Sequence, residues 1–151
     1  MAQHPISGRL FAYGTLIFPD VVHALLERTP SHGPAHLPGH TRFAVRGRSY
    51  PGLVPAEKGV TPGVLWEGID PSELAIVDRY ESDLYERRCI AVLPNGGGAP
   101  DEAAVYVVPD RHRGILTDRA WDPDHFVQEH LEATVAYCTR FRRSLAATCV
   151  S

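Results

Sequence analysis

Residues 70–87 read Asp70-Pro71-Ser72-Glu73-Leu74-Ala75-Ile76-Val77-Asp78-Arg79-Tyr80-Glu81-Ser82-Asp83-Leu84-Tyr85-Glu86-Arg87. Asp70 can cap a helix, Pro71 suits its first position, and Glu73 can reach back to the cap three residues earlier. A helix from Pro71 to about Tyr80 follows. Within it Leu74 and Val77 lead to Glu81 by steps of three and four, which sets the carboxylate in line with the apolar face. A carboxyl aimed at an apolar wall has its charged form disfavoured, so its pKa rises toward the range of a general acid/base. The alternative is that the helix stops short of Glu81, leaving the side chain in solvent or paired with Arg79, Arg87 or Arg88.

Upstream, Arg9 to Tyr13 reads as a strand ending at Gly14, and Pro19 to Arg28 carries helical spacing at Val21, Val22, Leu25 and Leu26. The strand-to-helix loop is a second candidate site. A glycine at the end of a strand lets backbone N–H groups approach an anion, although a plain tight turn is the commoner meaning. The Pro-, Gly- and His-rich stretch from Thr29 to Gly39 is expected to be a connecting loop, with strands at His40 to Val45 and Gly63 to Gly68.

Downstream, Arg87 to Leu93 and Glu102 to Val108 are strand-like runs flanking Asn95-Gly96-Gly97-Gly98, which predicts a hairpin. Asp122-Pro123 repeats the helix-start signal. Phe126, Val127, His130, Leu131, Thr134, Val135, Cys138 and Phe141 then share one face of a long C-terminal helix, with Leu145 to Ser151 expected to fray.

The 151 residues suit one domain, and 44% hydrophobic with 22% charged residues is a globular balance. We expect that domain over 9–141, with flexible tails at 1–8 and 142–151. A formal net charge of −3 gives no reason to expect a nucleic-acid partner or an anionic membrane. No signal-like or membrane-spanning run is present, which points to a cytoplasmic protein. Cys89, Cys138 and Cys149 lack the number and spacing of a disulfide framework or structural zinc site. His32, His36 and His40 recur every fourth residue, but the intervening prolines and glycines forbid the helix that would gather them around a metal. No phosphate-binding glycine loop, nucleophile elbow or Cys/His pair is evident.

Several separate anchors make the chain resemble the gamma-glutamylcyclotransferase-like family, in the branch of gamma-glutamylaminecyclotransferase and the plant avirulence-induced proteins. Phe11-Ala12-Tyr13-Gly14-Thr15-Leu16 is similar to the opening Y-G-T-L motif, and Tyr50-Pro51 to the branch's Tyr-Pro pair. Val77-Asp78-Arg79-Tyr80-Glu81 with Tyr85-Glu86-Arg87 resembles the segment that carries the family's carboxylate. Ala104-Val105-Tyr106-Val107 and the entry from Trp121 to Phe126 extend the likeness over about Arg9 to Phe141.

The resemblance implies an α+β fold, a small mixed sheet or barrel flanked by helices. It implies Glu81 as the catalytic residue, with Tyr13, Gly14, Thr15 and Leu16 binding substrate. Tyr85 is expected to close the pocket. The implied partner is a small-molecule gamma-glutamyl amine or related compound, converted to 5-oxoproline without metal or cofactor. Arg87 is expected to form a structural ion pair, with Glu81 or Asp83. Thr15-Leu16 stands where the branch acting on gamma-glutamyl amino acids usually has Ser-Asn, which leaves the leaving group open. The alternatives are a non-catalytic module binding a small ligand or peptide, and removal of a gamma-glutamyl group from a pathway intermediate.

Overall fold

The structure, a computed structural model, describes residues 8–150, with side chains to residue 146. Its strands are β1 (Arg9–Ala12), β2 (His32–Val45), β3 (Pro51–Glu67), β4 (Glu86–Pro94), β5 (Asp101–Val107) and β6 (Leu116–Ala120). Its helices are α1 (Pro19–Leu26), α2 (Pro71–Glu81), α3 (Pro123–Glu129) and α4 (Leu131–Val150). The strand order β3-β1-β5-β4-β2 returns to β3 through a β2–β3 pairing, so five strands close into a barrel and β6 extends β2 outside the ring. Closure leaves the ring without a free edge. The fold is the α+β arrangement of barrel and flanking helices implied by the sequence.

Alternation along β1 divides the core. Phe11 joins Leu37, Leu53, Val92, Val105 and Val107 inside the barrel, whereas Leu10 and Ala12 face α1, α2 and α4 through Val22, Leu25, Leu74, Val77 and Cys138. A strand covered on both faces loses the usual alternation of apolar and polar residues. That is why Leu10 through Ala12 form an unbroken apolar run.

Three expectations need correction. The stretch from Thr29 to Gly39, expected to be a loop, supplies the first half of β2 from His32 onward. Pro34 and Pro38 are tolerated because they share a parity. The Pro34 carbonyl accepts from the Asn95 N–H on the β4 side, so the missing N–H groups take nothing from the β2–β3 ladder. The three histidines therefore lie along a strand, where His32 packs on Trp66 at 4.2 Å and His36 bonds Asn95 at 2.8 Å.

The long C-terminal helix is two helices. At His130 (φ −132°, ψ −15°) the chain bends, although the His130 N–H still reaches the Phe126 carbonyl and the Thr134 N–H reaches that of His130. The bend lets Phe126 stack on Phe18 while α4 follows α1. No proline or glycine marks it.

Helix α4 also continues to Val150, past the expected fraying point, because Leu145 returns to the face of Cys138 and is buried. Residues 1–7 of the expected N-terminal tail, and Ser151, lie outside the described residues.

Candidate active site

The cap predicted for α2 is present. Asp70 accepts from the Glu73 N–H at 2.8 Å while the Glu73 carboxylate accepts from the Asp70 N–H at 3.1 Å. From that start the apolar face runs through buried Leu74 and Val77 to Glu81, the last residue of the helix. Ser82, at φ +65°, then turns the chain away. The helix thus reaches Glu81 rather than stopping short; none of the three candidate arginines pairs with it, and two of them are engaged elsewhere. Arg87 pairs with Asp78 at 2.7 Å, a structural ion pair of the expected kind with a different partner, and Arg88 pairs with Glu86 at 2.6 Å.

Glu81 faces a cavity of about 520 Å³ whose lining includes all six residues singled out in the sequence: Tyr13, Gly14, Thr15, Leu16, Glu81 and Tyr85. Facing this hollow, the carboxyl keeps some accessible surface while the surrounding walls exclude most bulk water. Desolvation first, and the nearby Asp78 charge second, raise its pKa to about 8. Among the described residues no cation or hydrogen-bond donor pairs with it.

The Tyr13–Leu16 loop is held from three sides. Arg42 donates to the Tyr13 carbonyl at 2.7 Å, the Trp66 indole donates to the Leu16 carbonyl at 2.9 Å, and the Ile17 N–H closes on the Gly14 carbonyl at 3.1 Å. A Cβ on Gly14 would stand 2.8 Å from Pro51 Cδ, so the glycine is needed for the Tyr50-Pro51 turn to lie against the loop. Thr15 and Leu16 open a short 3-10 turn, where N–H groups lack intrahelical acceptors. Those groups are suited to an anion or a developing oxyanion.

The tyrosines are mostly fasteners. Tyr13 donates to the Tyr106 carbonyl at 2.6 Å, Tyr85 donates to the Pro51 carbonyl at 2.7 Å, and Tyr80 shares a 2.9 Å bond with Thr15 Oγ1. Tyr106 donates to Asp78. Burial pushes all four phenols above their ordinary range, so they stay protonated and hold the cavity wall in shape. Tyr85 lines the cavity, and its hydroxyl is tied to the Tyr50-Pro51 turn.

Sequence reasoning missed part of the lining: Arg48, Arg79, Tyr80, Tyr106 and, from the C-terminal helices, His130, Thr134 and Tyr137. The available signal was the presence of His130 and Thr134 on an otherwise apolar helical face.

A family model described as "Gamma-glutamyl cyclotransferase, AIG2-like" matches residues 10–123. "AIG2-like protein D" of Arabidopsis thaliana is 32% identical over 137 residues, covering 90% of each chain. "AIG2-like protein B" of the same plant is 39% identical over 134 residues, covering 89% of this chain and 77% of that one. Among solved structures, an Arabidopsis thaliana protein determined in solution matches with a TM-score of 0.68 and 27% identity, over 98% of this chain and 87% of its own. A structure titled "Gamma-glutamyl cyclotransferase" shares the fold at a TM-score of 0.58 with 17% identity, over 67% of this chain and 66% of that one.

Proposed function

The chain belongs to the AIG2-like gamma-glutamyl cyclotransferase family, and from that membership we propose that it cyclises a gamma-glutamyl amine or related gamma-glutamyl compound, with Glu81 as general acid/base. The observation that carries this reading is a carboxyl at the end of α2 that no cation pairs with among the described residues, lining the same cavity as a loop that offers backbone N–H groups.

In the proposed reaction the ionised Glu81 takes a proton from the substrate's α-ammonium. The freed amine attacks the substrate's γ-carbonyl carbon, forming the ring C–N bond. Glu81 returns that proton to the departing nitrogen as the original γ-amide C–N bond breaks, the ring nitrogen gives up a second proton that the released amine takes up as an ammonium, and 5-oxoproline remains. Atoms and protons balance within the substrate, and the step as written uses no metal or cofactor. A carboxyl titrating near 8 can serve in both directions, because neither of its states is strongly favoured close to neutrality. The N–H groups of Gly14, Thr15 and Leu16 hold the α-carboxylate or the oxygen that gains charge during attack. The tyrosine-braced walls hold the γ-glutamyl chain folded, which supplies a large part of the advantage of ring closure. An ordinary, exposed Glu81 would have favoured a binding module instead.

The test is 5-oxoproline release from gamma-glutamyl amines, gamma-glutamyl amino acids and gamma-glutamyl-lysine isopeptide, with wild type beside Glu81→Gln. The variant is expected to lose about a hundredfold or more, the scale of a missing acid/base group. Equal turnover by both proteins would sink the role of Glu81. A folded wild type that acts on none of the panel would overturn the reaction.

A further inference from the structure

The proposed chemistry occupies Glu81 and the Tyr13–Leu16 loop with the γ-glutamyl part of the substrate. The leaving group must then lie against the remaining walls. Two of these are the 46–50 turn and the cavity-facing side of α4, and α4 lies beyond residue 123, where the family match ends.

The charges along the lining are one-sided. Among the described residues Glu81 is its only acidic residue, and Arg48 and Arg79 are its only permanent cations. Asp78, Glu86 and Asp110 are taken by Arg87, Arg88 and Arg113. Among the described residues neither the Arg48 nor the Arg79 guanidinium has an ion-pair or hydrogen-bond partner. The two cations are thus available to a ligand, and Glu81 does not neutralise them, since no arginine stands within pairing distance of it.

Their settings are ordered. The turn bearing Arg48 is held by the Trp121 indole, which donates to the Ser49 carbonyl at 2.7 Å, and by the Arg48 N–H on the Val45 carbonyl at 3.1 Å. Arg79 is fixed by its place in the last turn of α2, beside Tyr80. Tyr80 lies 6.3 Å from Tyr137 of α4, and Tyr137 stacks on Phe141 while remaining half exposed. The mouth of the cavity therefore combines an aromatic surface with free positive charge.

We propose that Arg48 and Arg79 are specificity-determining residues that select the leaving group by charge, favouring one that carries a carboxylate and disfavouring one that carries an ammonium. The proposal rests on the cyclotransferase reading and narrows its substrate to gamma-glutamyl compounds whose departing amine is itself an amino acid or other anion. The Tyr137 face would cover the body of that group. Two guanidinium groups at a partly solvated mouth are expected to discriminate by about tenfold, because Coulomb attraction there is softened by water but not abolished.

The experiment compares gamma-glutamyl-alanine with gamma-glutamyl-ethylamine, which differ only in the leaving-group carboxylate, and adds mono-gamma-glutamyl-1,3-diaminopropane as the cationic probe. The readout is the ratio of kcat/KM values for 5-oxoproline release, in wild type, Arg48→Gln, Arg79→Gln, the double variant and Arg79→Lys. The expected wild-type ratio of alanine to ethylamine compound is about ten, falling with added salt. It should shrink in each Gln variant, approach one in the double variant, and persist in Arg79→Lys, which keeps the charge. The diamine compound should gain relative to the ethylamine compound when the charges are removed. A wild-type ratio near one, or a ratio that the double variant leaves unchanged while both compounds are consumed, overturns charge selection and leaves the cyclotransferase reading standing. No turnover of any of the three by folded wild type overturns both.

Discussion

The two ends of α2 each draw a glutamate inward, with opposite consequences. At the N-terminal end Glu73 is 7% exposed, and Arg28 grips it through Nε at 2.6 Å and Nη2 at 2.7 Å. Those bonds hold its carboxyl below the ordinary range despite the desolvation that opposes them. At the C-terminal end no cation pairs with Glu81 among the described residues, and burial with the Asp78 charge lifts it to about 8. The comparison shows that withdrawal from water does not by itself make a reactive carboxyl. The missing partner does, and the protein supplies one only at the end of the helix where the acid closes a cap and pins α1 to α2.

The sharpest way to break this comparison is through stability. A folded carboxyl titrating near 8, against 4.5 when unfolded, keeps a proton that the unfolded chain has already released between those values. The native state therefore loses stability as pH rises through that window, and carries the full penalty above about pH 8. Glu81→Gln removes the titration, so the variant should be more stable than wild type by roughly 3 kcal/mol at pH 9 and little different near pH 4. That figure is reduced below the full shift because the cavity admits some water. Urea unfolding at the two pH values measures it. A variant less stable than wild type at pH 9 would mean that Glu81 has an unseen partner.

Glu73 carries the opposite sign. Its lowered carboxyl contributes stability that is present above about pH 4.5 and is lost as pH falls through the folded value. Glu73→Ala removes both the Arg28 pair and one arm of the capping box, and should cost about 1–2 kcal/mol at pH 7. The deficit should narrow in acid, while 5-oxoproline release persists. Loss of activity without loss of stability would show that the two ends of the helix are coupled.

This division was partly legible in the sequence because α2 is governed by local rules. Asp70, Pro71 and Glu73 announce the cap within four residues, and the spacing of Leu74, Val77 and Glu81 states which way the last side chain points. Gly14 was readable as the end of a strand, but not as the residue that admits Pro51, since that contact joins positions 37 apart. The barrel's closure was hidden for the same reason. The first half of β2 looks like a loop to any local rule, and only the pairing with β3 and the shared parity of Pro34 and Pro38 make it a strand. Arg28, the group that decides the fate of Glu73, lies 45 residues away from it. The α4 wall was masked by its own regularity, because His130 and Thr134 sit in register with residues that are plain core.

The smallest expected effect isolates the second cause of the Glu81 shift. Asp78 sits three residues before it on α2, where its charge adds to desolvation, and is itself engaged by Arg87 and Tyr106. Asp78→Asn removes the charge while keeping an acceptor for the Tyr106 hydroxyl. Glu81 then loses one source of repulsion, and the Arg87 charge, freed from its partner, acts in the same direction. The carboxyl should ionise at lower pH, moving the rising limb of kcat/KM down by less than about one unit, a change worth under about 1.4 kcal/mol. The substrate's own α-amine also titrates in this region, but it contributes identically to both proteins, so the difference between their profiles belongs to the enzyme. A limb that stays in place would make desolvation the whole cause. A limb that moves upward would mean that Asp78 organises the wall, through Tyr106, more than it repels the carboxyl, and that the contrast between the two ends of α2 depends on packing rather than charge.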